Sequence, residues 1–285
     1  MAPQPPSDPP LCSEPVRVLL TNDDGIQASG LHAMRRALLA VPGLDVSVIA
    51  PNSNRSATAR SITTRQPLWV DEIDFDDGTR GFATDGTPVD CVRFAVLGLI
   101  DEPPELIVSG INHGSNLGDD ITYSGTVAAA LEGIVLGIPA IAVSQQSQRR
   151  ELDFRLGGEF DFERAATFVA RLVEELDSVP MPSATLLNVN CPAGELHGVR
   201  ACRLGKRIYR DRLELDDEVD GRRRYRIYGA DPSYEREDGT DFAAIANGMI
   251  AVTPLHFDLT DAGAVEQLEG FDLDRLLRPA AEEVE

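Results

Sequence analysis

Apolar residues in this chain come as short unbroken runs that alternate with stretches spaced three or four apart. Val16–Leu20 is a β-branched run suited to a buried strand, and Thr21–Gly25 ends it with polar residues and a glycine. Leu31, Met34, Ala37 and Leu38 then recur at helical spacing up to Pro42 and Gly43. Val46–Ala50 is a second apolar run, stopped by Pro51. Strand, loop, helix and strand in succession predict a βαβ unit, with parallel pairing and a right-handed crossover.

The same order returns downstream. Leu106–Val108 with Ser109 and Gly110 predicts a strand, followed by a long Gly/Asn-rich loop to Ser124, while Val127–Leu136 predicts a helix of small residues and Ala140–Val143 a strand after Pro139. Between the two units, Thr64–Val70 and Gly81–Thr84 read as extended and Val89–Leu99 as helical. Phe162–Leu176 has the spacing of an amphipathic helix, and Thr185–Val189 that of a further strand. The expected fold class is therefore α/β, a doubly wound and mostly parallel sheet. Ligands of such sheets bind outside the carboxyl ends of the strands, so the polar loops after strands carry the functional expectation. Past Pro192 the pattern changes. Lys206–Tyr228 is charged and partly alternating, which predicts antiparallel hairpins, and Gly248–Val252 reads as a strand. The expected division is a disordered Pro-rich tail (1–15), an α/β core (about 16–195), a β-rich extension (about 196–265) and an acidic tail (266–285).

Composition narrows the partners. The 285 residues carry 26 Lys+Arg against 47 Asp+Glu, a formal charge of −21, and Lys206 is the sole lysine. A chain this acidic has no basic face with which to hold long nucleic acid or an anionic membrane. An anionic substrate would need positive charge supplied locally. Cys12, Cys91, Cys191 and Cys202 are scattered, with no CxxC pair of the kind zinc or thiol redox chemistry needs, and Cys91 and Cys191 lie among apolar residues as buried thiols. No apolar run approaches the roughly 18 residues of a membrane span, and the N-terminus has neither a basic nor an apolar leader segment. A soluble, cytoplasmic protein is expected.

Four loops hold candidate chemistry. Asp23 and Asp24 in Thr21–Gly25 repel one another unless a cation or donors neutralise them. Such oxygen-rich loops suit Mg²⁺ or Mn²⁺, although the pair could instead cap the next helix. Pro51–Ser61 offers hydroxyls, amides and the arginines Arg55 and Arg60, which could meet a phosphate, or it is a plain surface loop. Ser109–Thr126 combines Gly110, Gly114, Gly118 and Gly125 with the amides of Asn112 and Asn116. Its end, Ser124–Thr126, falls at a helix start, where backbone N–H groups and the helix dipole favour anions. Thr87 and Pro88 have the order of a helix cap followed by proline, so helix initiation is expected there. Trp69 or Tyr123 could stack on a base, or Trp69 could pack as an apolar group. Together these loops suit cation-assisted phosphoryl hydrolysis.

The strings VLLTNDDGIQASGL, APNSNRSATARSIT, GTPVDCV, LIVSGINHGSNLGDDITYSGTVAAALEG and IPAIAVS resemble the SurE family of survival proteins. LLNVNCP and GMIAVTPLHFDLT are similar to the family's later segments, so the resemblance runs from about Val16 to Thr260. The resemblance implies a Rossmann-like fold and a divalent-metal-dependent 5′/3′-nucleotidase acting on nucleoside monophosphates. It implies one cation per subunit (Mg²⁺ or Mn²⁺) on Asp23, Asp24, Ser56 and Asn112. Asn22, Ser124, Gly125 and Thr126 would then lie on the phosphate side. It also implies a homodimer or homotetramer built through an exchanged C-terminal extension. The sequence departs little at the core, with Val89 where the family commonly has alanine, and Lys206–Gly239 aligns poorly.

The expected mechanism is attack of a cation-activated water on phosphorus, with Asp23 or Asp24 doubling as base. A phosphoaspartyl route expects D-x-D after the first strand, whereas these aspartates are adjacent. None of His32, His113, His197 or His256 lies in an R-H-G signature, which a phosphohistidine route expects. Ser124 or Ser56 as a nucleophile lacks a neighbouring histidine base in sequence. Three alternatives stay open: a nucleotide-binding regulatory protein without turnover, a broader phosphatase or exopolyphosphatase, and a dinucleotide-dependent oxidoreductase. No GxGxxG follows the first strand to support the last.

Overall fold

Runs of apolar residues too short for helices are stable only when neighbours satisfy their backbones, and here they line up side by side. The structure, a computed structural model, describes residues 14–150, 158–227 and 232–277. Its first part runs β1 (Val16–Thr21), α1 (Ser29–Leu39), β2 (Leu44–Pro51), β3 (Val70–Asp74), β4 (Arg80–Thr84), α2 (Pro88–Phe94) and β5 (Leu106–His113). There follow α3 (Gly125–Val135), β6 (Ala140–Gln145), α4 (Glu163–Glu174) and β7 (Thr185–Cys191). Then come β8 (Gly198–Ala201), β9 (Arg207–Ile208), β10 (Glu214–Val219), β11 (Arg222–Arg226), β12 (Ser233–Tyr234), α5 (Asp241–Ala246), β13 (Met249–His256) and α6 (Ala262–Glu269).

Nine strands form one sheet in the order β3-β4-β2-β1-β5-β6-β7-β13-β8. β1 is parallel to β2 on one side and to β5 on the other, and β6 and β7 continue the parallel series. β3 against β4 and β13 against β7 are antiparallel, so the sheet is mostly parallel. The winding reverses between β1 and β5, and a crevice opens there outside their carboxyl ends.

Side chains alternate across the sheet, as a period of two requires. Val18, Leu20, Ile141 and Val143 pack under α1 and α4 with Leu31, Met34, Val169 and Val173. Leu19, Ile107, Ala140 and Ala142 face the other way, towards α2 and α3, where they meet Val92, Val127, Ala129 and Ala130. In the second layer Ala129 and Ala130 of α3 share a cluster with Ala140 and Ala142 of β6, and a Cβ at Gly133 would lie 3.2 Å from the Ala140 Cβ, so α3 lies close on the sheet. Cys91 and Cys191 are buried free thiols, and burial pushes Cys191 up to about 12.

Some boundaries differ from the sequence expectation for physical reasons. Thr64–Val70 was expected as a strand, but pairing begins only at Val70, opposite Thr84; the residues before it run past the end of β4 and have no ladder partner. β5 does not end at Gly110. It continues to His113 through a register shift against β6 between Ser109 and Asn112. Gly110 permits the shift: its φ is +136°, and a Cβ there would lie 2.3 Å from the Val143 carbonyl. β13 also runs past the expected Val252 and contains Pro254. The Val252 carbonyl accepts from the Cys202 amide on the β8 side. Pro254 presents its missing N–H to that same side, where β8 has already ended, so no ladder bond is lost.

The expected antiparallel hairpins past Lys206 are seen as β10 with β11 and as β9 with β12. Within the expected extension, β8 and β13 return to the main sheet, and the β10–β11 hairpin is exposed along its whole length. The stretch expected as an acidic tail begins with the end of α6 and a short 3₁₀ turn at Leu273–Leu277. Residues 1–13 and 278–285 of the two tails lie outside the described residues.

Candidate functional site

The loop after β1 is drawn tight by its own residues. The Asn22 side chain accepts from the Gly25 amide at 3.2 Å and donates to the Gly25 carbonyl at 2.9 Å, which closes the turn and turns the next two side chains into the crevice. Asp23 is only 3% exposed, and the Asp24 side chain 5%. Neither caps α1. That helix starts after Ala28 and has no side-chain cap, which removes the capping alternative.

Each carboxylate meets a different element. Asp23 Oδ1 accepts from Thr126 Oγ1 at 2.6 Å, in the first turn of α3. Asp24 Oδ2 accepts from the His113 amide at 3.0 Å, and its Oδ1 from Asn54 Nδ2 at 3.1 Å. Among the described residues, no Lys or Arg side chain pairs with either. The His113 ring, with Nδ1 3.7 Å from Asp24 Oδ1, is held below its ordinary pKa by burial and so is neutral at pH 7. Burial, with the charge of Asp24, pushes Asp23 up to about 6 against the opposing Thr126 hydrogen bond. Burial also raises Asp24, against its bonds from His113 and Asn54.

The second loop reaches this pair through its backbone and through Asn54. The Arg55 amide donates to the Asp23 carbonyl at 2.6 Å, and Asn54 Oδ1 accepts from the Ser56 amide at 2.8 Å. Ser56 is exposed, one residue beyond the first of these anchors. Asn112 is buried at the end of β5, and its NH₂ donates to the Gly114 carbonyl at 2.7 Å, so its oxygen is the end left to act as a ligand. Behind it, Asn116 pins the following turn to the sheet. Its amide donates to Asn190 Oδ1 at 2.8 Å and its Nδ2 to Ser144 Oγ at 2.8 Å, while its carbonyl accepts from Asn188 and Asn190.

At the start of α3, Ser124 Oγ caps the helix by accepting from the Val127 amide at 3.1 Å, and the Thr126 hydroxyl is engaged by Asp23. Gly125 lies directly on Asp23: a Cβ there would be 2.8 Å from the Asp23 Cβ and 2.9 Å from Oδ2. A helix N-terminus and two carboxylates thus adjoin with no side chain between them.

The arginines expected to meet a phosphate have other partners. Arg55 donates to the carbonyls of Asp85 at 2.9 Å and Gly86 at 3.3 Å, joining the second loop to the fourth, and Arg60 pairs with Glu132. Thr87 and Pro88 initiate α2 as expected, in a capping box with Asp90. Trp69 is 79% exposed and Tyr123 57%, so the apolar-packing reading of Trp69 does not hold.

Asn22, Asp23, Asp24, Asn112, Ser124, Gly125 and Thr126 therefore converge on the switch point between β1 and β5, with Ser56 on the loop bonded to them. Sequence reasoning missed Asn54 and the amide of His113. Nothing in the string PNSN separates Asn54 from Asn52, and a backbone donor leaves no mark in a sequence.

The donor set fits a hard divalent cation. Two buried carboxylates share their proton reluctantly and lack a basic partner, a hydroxyl and an amide oxygen stand nearby, and no cluster of three His, Cys, Asp or Glu forms among the described residues.

The family described as "Survival protein SurE" matches residues 18–211. A Rubrobacter xylanophilus protein named 5′-nucleotidase SurE is 49% identical over 266 residues, covering 92% of this chain and 99% of its own. A Chloroflexus aggregans protein of the same name is 44% identical over 258 residues, covering 90% and 98%. The crystal structure of the SurE protein from Aquifex aeolicus matches with a TM-score of 0.70 at 37% identity, covering 89% of this chain and 99% of that one.

Proposed function

The chain belongs to the SurE family, and from that premise we propose that it is a phosphoric monoester hydrolase, a 5′-nucleotidase that converts nucleoside monophosphates to nucleoside and phosphate. The observation that carries the reading is the buried pair Asp23–Asp24, raised in proton affinity and unpaired with any Lys or Arg among the described residues, beside the open N-terminus of α3.

Asp23, Asp24, Ser56 and the Asn112 oxygen hold one Mg²⁺ or Mn²⁺. Bound there, a divalent cation supplies Lewis acidity to a phosphoryl oxygen and makes water easier to deprotonate. The backbone N–H of Gly125, at the positive end of α3, takes a remaining phosphoryl oxygen, while that of Thr126 is turned to the Asp23 carboxylate. The Ser124 hydroxyl supports them indirectly, as the cap that fixes the first turn. Asn22 keeps the turn closed so that both carboxylates stay in the crevice. Thr126 occupies Asp23 Oδ1 and leaves Oδ2 as the basic atom. Asp23 takes a proton from the attacking water as the water oxygen bonds to phosphorus, and the bond to the nucleoside oxygen breaks with that oxygen taking up a proton to leave as the alcohol.

Homodimer or homotetramer formation through the C-terminal extension belongs to the same proposal. A two-stranded hairpin is marginal alone in water, and β10–β11 is exposed along its length with Leu215 opposite Tyr225. No helix among the described residues is long and apolar enough to cross a membrane.

The test is phosphate release from a panel of nucleoside monophosphates and polyphosphate, with Mg²⁺, with Mn²⁺ and after EDTA. Release from the monophosphates that stops with EDTA supports the reading. Full activity in EDTA defeats it, and tight nucleotide binding without release favours a regulatory protein.

A further inference from the structure

The buried carboxylate of Glu132 lies outside the set of groups assigned so far. It sits on α3 two turns after Gly125, its side chain 1% exposed. Two guanidinium groups neutralise it: Arg60 NH2 lies 2.6 Å from Oε2, and Arg93 NH2 lies 2.6 Å from Oε1. A carboxylate buried this deeply must be paired, which accounts for having partners but not for where they come from. Arg93 belongs to α2. Arg60 belongs to the loop that carries Ser56, and its guanidinium also covers the Phe257 ring at 4.5 Å.

Besides its bonds through Asn54 and the Arg55 guanidinium, three anchors of that loop bear on Ser56. The Arg55 amide donates to the Asp23 carbonyl, the Ala59 amide donates to the Tyr123 carbonyl at 3.2 Å, and Arg60 reaches Glu132. Ser56 and Ala57 lie between the first two anchors, and Ala57 at φ +60° and the anchoring Ala59 at φ +52° are both in left-handed conformations. Residues with a Cβ keep such conformations only where the surroundings impose them.

We infer that the Arg60–Glu132 ion pair is a positioning device for the cation site: it fastens the Ser56 loop to the same helix whose first turn holds Asp23. This rests on the cation reading given above. One helix then sets two relations at once, Asp23 through Thr126 and Ser56 through Glu132 and Arg60. Arg60 and Arg93 neutralise the same carboxylate, but only Arg60 is continuous with Ser56, so the two arginines separate positioning from charge balance.

The experiment measures Mn²⁺ affinity of the full-length protein by electron paramagnetic resonance of free Mn²⁺, for wild type, Arg60→Gln, Arg60→Lys and Arg93→Gln. These are partly exposed side chains, so the variants keep the fold more readily than a truncation of Glu132 would. Removing a positive charge near a cation should by Coulomb's law tighten binding. Positioning predicts the opposite for one variant: Arg60→Gln weakens Mn²⁺ affinity about tenfold, the scale of lost support to metal ligands. Arg93→Gln holds or tightens it, and Arg60→Lys lies between wild type and Arg60→Gln. At saturating Mn²⁺, Arg60→Gln regains most of the wild-type kcat. Unchanged or tighter binding by Arg60→Gln overturns the inference, as does equal weakening by Arg60→Gln and Arg93→Gln. Wild type that takes up no Mn²⁺ overturns the cation reading and this inference with it.

Discussion

Asp23 is a carboxylate whose ionisation works against its own folding, since burial and Asp24 hold its pKa near 6 where an ordinary aspartate has 3.8. The folded chain therefore keeps a proton that the unfolded chain releases between those values. In cation-free buffer, stability is favoured at low pH and lost as pH rises through the folded pKa. Asp23→Asn escapes that loss. Its melting temperature relative to wild type should climb between pH 4 and pH 7, while phosphate release falls about a thousandfold. A melting difference independent of pH would contradict the assignment. A cation must displace the same proton, so Mn²⁺ affinity should weaken as pH falls below about 6. Gly125→Ala tests the close approach of α3. Overpacking costs about 1–3 kcal/mol and alanine gains about 1 kcal/mol over glycine in a helix, so the net loss of stability is at most about 2 kcal/mol. The new methyl group meets Asp23, and activity should drop at least tenfold by roughly the same logic of displaced catalytic groups. At this scale the site was partly legible: Asp23, Asp24 and Gly125 stand in a readable string, whereas Asn54 and the His113 amide are defined only by what they touch.

The elements were legible where a single period governs them. β1, α1, β2, α4 and β7 bury one stripe or run against one layer, and hydrophobic spacing locates them to within a few residues. Legibility fails where pairing decides. Thr64–Trp69 has extended-type residues but no partner strand, and β5 hides its last residues behind the glycine that shifts its register. Helix starts written in side-chain chemistry are the exception, since Thr87 and Pro88 announce α2 directly. Thr87 both closes the capping box with Asp90 and donates to the Ser61 carbonyl at 2.8 Å. Thr87→Ala should cost about 1–2 kcal/mol of stability, with a smaller loss of activity. Denaturant unfolding would read it as a lower midpoint at unchanged slope; no change would mean that Pro88 alone initiates the helix.

For the whole molecule, the charge of −21 does not preclude an anionic substrate, because under the proposed function the relevant field would be set locally by a carboxylate-held cation and a helix end. The fold class followed from the order of elements, but the return of β8 and β13 to the main sheet did not, because sheet order across a long excursion leaves no periodic signal. The β10–β11 hairpin carries Leu215 and Tyr225 into solvent as paired residues. Light scattering should find a dimer or tetramer, and Leu215→Glu with Tyr225→Glu should lower the measured mass while the sheet stays folded. An unchanged mass would move the interface elsewhere. The alanine layer under α3 acts at the same scale as a spacer. Ala140 and Ala142 on the sheet, with Ala129 and Ala130 on the helix, set the height at which Gly125 and Thr126 stand over the β1–β5 crevice. Residues with no polar atom and no access to a ligand thus fix the clearance into which a phosphoryl group must fit. Thickening that spacer by a methyl group would lift the anion's half of the site while leaving the carboxylates in place. Under the proposed function, such a chain would lose phosphate binding while keeping its affinity for the cation.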